Sequence, residues 1–157
     1  MEREWKGIIK STEIGRKRYK MDKYYRHLVQ YYETDQMKIV HHSNYIRWFE
    51  EARGWMLEKA GFGYDKMEEI GILIPVLEVE CKYHSSVRYN EEVFIIPKLI
   101  KFNGIKMTLS YEIKDVKSGE LRATGTSVHG FLNTKYRPVS LKRSYKEIYD
   151  LFMSVFE

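Results

Sequence analysis

The chain has 157 residues, of which 43% are hydrophobic and 31% charged, with a formal net charge of +5. That is enough for one domain with a substantial core, of ordinary globular composition. The single cysteine, Cys81, excludes an internal disulfide and a thiolate metal cluster. No secretory h-region and no run near the ~20 apolar residues of a membrane span is visible, so a soluble cytoplasmic protein is expected.

The charge is uneven. Residues 1–26 carry nine basic side chains against four acidic ones, which is the whole of the excess. Residues 1–22 show no clear period and read as a solvated basic extension. With the rest of the chain balanced, nucleic acid is not the expected partner.

From Tyr24 to Tyr32 interleaved Tyr and Val predict a strand, and residues 36–42 a loop. Tyr45, Trp48, Phe49, Ala52, Trp55, Met56 and Ala60 then recur at helical spacing. Ser43 or Asn44 is the expected N-cap and Gly61 the stop. Glu50 and Arg53, three apart, predict a structural ion pair on this helix. A short second helix is expected over Tyr64–Ile70, ended by Gly71.

The period then changes to two. Leu77, Val79, Cys81 and Tyr83 alternate with charged residues, which predicts a strand with one buried face. Val93–Phe102 is a second strand, in which Pro97 predicts a bulge or an unpaired position. Asn103-Gly104 is a hairpin signal leading into Met107–Lys114. Lys117-Ser118-Gly119 turns the chain into a last strand, Leu121–Leu132. Ser144-x-x-Glu147 has the form of a capping box ahead of a C-terminal helix over 144–157. The layout is thus an extension, a domain over 23–143 and a terminal helix. One helix covers one face of the sheet; the bare face and edges predict an oligomer.

The motif is more specific than this order. Tyr32-Glu33-Thr34-Asp35, Ile39-Val40-His41-His42-Ser43-Asn44-Tyr45 and Phe49-Glu50-Glu51-Ala52-Arg53 resemble the hotdog-fold acyl-CoA thioesterases. The branch with 4-hydroxybenzoyl-CoA thioesterase and the Tol-Pal-associated enzymes is the most similar. Tyr83-His84-Ser85-Ser86-Val87-Arg88-Tyr89-Asn90-Glu91, Ala123-Thr124-Gly125, His129 and Arg137-Pro138-Val139 extend the resemblance, which covers about 24–143. It implies an α+β hotdog fold, a long helix wrapped by a curved antiparallel sheet of about five strands. One departure stands out. Where the family has Gly three residues after the Asp, this chain has Lys38, which must either fit an ordinary backbone geometry or be strained.

The resemblance implies that Asp35 activates water or attacks the thioester itself. It also implies that the His42 N–H, at the helix start, polarises the carbonyl. Tyr45 would line the acyl pocket. Arg88 and Arg137 would meet the CoA phosphates, with Lys135, Lys142 and Arg143 as further candidates. Adjacent histidines at 41 and 42 lack a third ligand at useful spacing, so no metal is expected. The expected reaction frees CoA and a carboxylic acid without cofactor, in a homodimer or homotetramer. The alternatives are hydrolysis of acyl-carrier-protein thioesters, a hotdog hydratase whose Asp and His spacing is not found here, and a non-catalytic acyl-CoA sensor. His84 and His129 read as solvated or satisfied strand histidines, and Trp48 and Trp55 as core or pocket wall.

Overall fold

The computed structural model of the chain describes residues 23–156. The basic extension expected over 1–22 lies outside them. The strands are β1 (Tyr25–Leu28), β2 (Val76–Tyr83), β3 (Glu92–Phe102), β4 (Lys106–Asp115) and β5 (Leu121–Gly130). They form one five-stranded sheet in the order β1-β3-β4-β5-β2, with every neighbouring pair antiparallel. The helices are α1 (Ser43–Ala60), α2 (Tyr64–Glu69), α3 (Leu141–Ser144) and α4 (Lys146–Phe156).

The 18-residue α1 lays Tyr45, Trp48, Phe49, Ala52, Met56 and Ala60 on the sheet, all buried, while Trp55 is half-buried. Phe49 stacks on Tyr111 of β4 with ring centroids 4.3 Å apart. Gly125 of β5 makes this possible. A Cβ there would stand 2.4 Å from the Phe49 ring and 2.6 Å from the Glu80 carbonyl oxygen. Side-chain bulk at position 125 would therefore lift the helix off the sheet. Gly61 ends α1 at φ 93°, with its N–H and that of Phe62 returned to the last-turn carbonyls, as a left-handed cap requires.

Several boundaries differ from the expectations above. The first strand stops at Leu28, because the chain turns through a 3-10 turn at Tyr31–Glu33. The N-cap of α1 is His42, with helical φ and ψ, and makes no side-chain capping bond. The last strand ends at Gly130, and Leu132 instead bridges Leu73 and Pro138. Pro97 stays in register with Tyr111, and β1, which pairs only from Ile95 to Glu92, has no residue opposite it. The irregularity falls later, between Leu99 and Lys101.

β2 has no buried face. It lies at the sheet edge, where α1 reaches it only through contacts such as Tyr45 on Tyr83, and Val76, Leu77, Val79 and Tyr83 are exposed. Ser144 is the last residue of α3 and not a cap of α4. α4 closes the end of the core where α1 finishes. There Phe152 meets Phe62, Phe102 and Phe131 with ring centroids 4.3, 4.9 and 5.7 Å apart.

Candidate active site

At the other end of α1 the chain builds a short ladder before the helix. His41 N–H donates to Glu33 O, Thr34 bridges Val40, and Asp35 N–H donates to Ile39 O. The turn at its tip is held by Asp35. The Asp35 Oδ1 accepts the Met37 N–H at 2.8 Å and its carbonyl accepts the Lys38 N–H at 2.9 Å. Its Oδ2 has no hydrogen-bond partner among the described residues.

Lys38 closes this turn at φ 63°, a left-handed conformation that glycine takes freely and lysine at a cost of about 1–2 kcal/mol. The sequence left two outcomes for Lys38, and the strained one holds. Immediately after the ladder α1 begins. Asn44 N–H returns to His41 O, while the His42 N–H has no acceptor among the described residues. That donor sits at the positive end of an 18-residue helix.

Asp35 and His42 line one cleft of about 300 Å³, together with Met37, Ile39, Val40, Tyr45, Tyr83, His84, Ser85 and Ser86. Three of the five residues expected at the site, Asp35, His42 and Tyr45, thus meet. Arg88 and Arg137 do not line this cleft; both are exposed on the surface. The opposite wall, residues 83–86, was not foreseen as a site. Its signal was the Tyr83-to-Glu91 segment, which matched the family motif but was read as strand and turn.

That wall is tied down from two sides. The Tyr83 hydroxyl donates to His42 O at 3.1 Å, and its ring meets Tyr45 edge-on at 4.9 Å. Arg122 donates to Ser85 Oγ and Ser86 O, and its carbonyl accepts the His84 and Ser85 N–H groups. Asp115 lies 3.3 Å from the same guanidinium. His84, set at the cleft rim, bonds Thr124 at 3.0 Å.

Two polar residues, Arg53 of α1 and His129 of β5, are buried in the core. Arg53 is buried, and Glu50 stands 3.9 Å away with its side chain in solvent. The guanidinium is satisfied instead by the Tyr64 and Tyr111 hydroxyls, so the ion pair is not its main anchor. Tyr111 continues to Ser127 and Ser127 to His129, each at 2.7 Å. Burial and the nearby Arg53 charge push His129 down to about 4, so it is neutral in the core. No group of three or more His, Cys, Asp or Glu among the described residues could hold a metal ion.

Comparison with known proteins agrees with this architecture. A profile of the thioesterase-like superfamily matches residues 29–148. The chain belongs to the thioesterase-like superfamily. A Bacillus subtilis (strain 168) protein named "Putative acyl-CoA thioesterase YneP" is 32% identical over 120 residues, covering 76% of this chain and 86% of that one. The structure of a DHNA-CoA thioesterase from Staphylococcus aureus superposes with a TM-score of 0.79 at 31% identity, covering 84% and 89%. A hypothetical protein from Aquifex aeolicus gives 0.75 at 34% identity, covering 82% and 97%. The hotdog fold expected from the motif is therefore the fold of the chain.

Proposed function

We propose that this protein hydrolyses acyl-CoA thioesters to a free acid and CoA, which makes it a thioester hydrolase. The observation that carries this is one cleft lined both by Asp35, whose Oδ2 is open, and by His42, whose N–H at the start of α1 is unpaired. A thioester carbonyl placed there would send its developing negative charge toward the His42 N–H. A donor in that position contributes on the order of 3–4 kcal/mol to transition-state binding. Asp35 would activate water or attack directly, giving a mixed anhydride that water then opens. Neither route calls on a metal or a redox cofactor.

The cleft, about 300 Å³, lies at the small end of the range for ligand pockets. It suits a short or aromatic acyl group lying against Tyr45 and Tyr83, whose rings touch edge-on, with the rest of CoA outside. The Asp35-to-Tyr45 motif supports the 4-hydroxybenzoyl-CoA and Tol-Pal-associated branch. A 31% identical neighbour named for DHNA-CoA also supports an aromatic acyl group. Arg88 and Arg137 remain the residues assigned to the CoA phosphates, as surface charges outside the cleft. The apolar side chains exposed on β2, beside the cleft, support pairing of two copies at that edge. No helix among the described residues is long and apolar enough to cross a membrane, and the single reduced cysteine supports a cytoplasmic setting.

Release of free CoA from a panel of short, long and aromatic acyl-CoAs tests the reading, with a protein-only blank for the Cys81 thiol. Turnover is expected with short or aromatic members. Tight binding without turnover would make the protein an acyl-CoA sensor. Turnover of acyl-carrier-protein thioesters alone would move the substrate to the carrier, in keeping with the basic charge on residues 1–26.

A further inference from the structure

Glu33 is a carboxylate only 4% exposed, two residues before Asp35. Its Oε2 receives His27 Nε2 and the Gln30 N–H, each at 2.8 Å, and its Oε1 receives the Trp48 indole N–H at 2.7 Å. Its own carbonyl accepts two more hydrogen bonds at 2.8 Å, from the His41 N–H and from the buried Asn44 amide. Asn44 and Trp48 stand four apart on α1 and so share one helix face. The first turns of α1 therefore hold Glu33 by both its side chain and its backbone. Glu33 in turn is the base of the ladder that carries Asp35 at its tip.

We infer that Glu33 is the positioning residue of the reaction, fixing the Asp35 carboxylate against the N–H donor at the start of α1. Burial alone would push the Glu33 carboxyl up, yet the His27, Gln30 and Trp48 donors bring it below its ordinary value. The group is thus a buried anion supported from three elements: β1, the 3-10 turn and α1. His27 is the outermost of these supports. Its Nδ1 faces Glu51 at 3.4 Å and its ring leans on Trp48. Positioning of this kind is worth much in rate, since a shift of about 1 Å at a reacting group can cost on the order of 100-fold.

The inference rests on the thioesterase reading, and the test separates the two. The parent, Asp35→Asn, Glu33→Gln and His27→Gln are assayed for CoA release, each normalised to its folded fraction. Glu33→Gln keeps the shape but presents an amide donor to donors. It is expected to lower kcat at least ~10-fold per folded molecule with KM within ~3-fold of the parent. His27→Gln removes one outer support and is expected to lower kcat ~3-fold, also without change in KM. It carries the test if Glu33→Gln does not fold. A structural role alone would lower stability and leave kcat per folded molecule at the parent value in both variants, which would overturn the inference. No turnover in the parent would overturn the thioesterase reading instead; full turnover in Asp35→Asn would leave that reading standing but remove Asp35 from the chemistry, and would overturn the role given to Glu33.

Discussion

The two ends of α1 are built on opposite principles. At its C-terminal end the Gly61 N–H caps the last carbonyls, and Phe62, Phe102, Phe131 and Phe152 close over the end as an aromatic cluster. At its N-terminal end an N–H is left open, Lys38 holds a left-handed backbone, and Met37, Tyr31 and Tyr32 stand in solvent. The closed end supplies packing energy and the open end spends some of it on strain and unpaired groups. The difference shows that this fold keeps its unpaired donor and its strained backbone where the helix begins, far from the aromatic cluster that seals the core.

The contrast is broken most severely at the closed end. Phe152→Ala is expected to lower stability by about 3–5 kcal/mol, the cost of emptying a buried aromatic site. Turnover per folded molecule should be unchanged, as urea unfolding beside a rate assay would show.

Between the ends lies His129. Its folded value of about 4 is below the ordinary 6.5 of an unfolded histidine. The unfolded chain therefore takes up the proton first. The stability that neutral His129 contributes is complete above pH 6.5 and is lost as the pH falls toward 4. The gap corresponds to about 3 kcal/mol. Urea midpoints for the parent should fall over that window, and His129→Gln should show a shallower fall; equal slopes would remove His129 from the acid response.

Gly125→Ala tests how the helix and sheet share their contact. The added methyl meets a ring and a backbone carbonyl, so a loss of about 1–3 kcal/mol is expected by thermal unfolding. An unchanged Tm would mean that Phe49 moves aside freely. The smallest effect is expected at the open end. Lys38→Gly relieves about 1–2 kcal/mol of left-handed strain but adds about 0.5–1 kcal/mol of unfolded-state entropy. Stability within about 1 kcal/mol of the parent, with turnover retained, is the expected result. A large loss would show that the lysine side chain, not its backbone, holds the loop.

What could be read from the residues follows the same division. The helical period placed Tyr45, Trp48, Phe49 and Met56 on the core face, because spacing alone fixes a helix face. The motif placed Asp35, His42 and Tyr45 together, because a loop and the helix after it are local in the chain. The Glu50–Arg53 pair was legible from its spacing, but the hydroxyls that hold the buried guanidinium were not, since Tyr64 and Tyr111 arrive from elsewhere in the chain. β2 was misread because alternation describes the pleat of a strand and not whether anything covers it. The wall at Ser85 and Ser86 depends on Arg122, more than 30 residues on, a contact that no local pattern encodes.

The central proposal is that Asp35, held by its turn in the cleft that His42 at the start of α1 also lines, does the chemistry. The most direct measurement is the rate of CoA release by Asp35→Asn beside the parent, on the best acyl-CoA of the panel, with unfolding curves for both. The asparagine can still accept the Met37 N–H, so the fold should be kept. The account predicts a matched Tm and a turnover lowered at least ~100-fold. A matched Tm with an unchanged rate would contradict it.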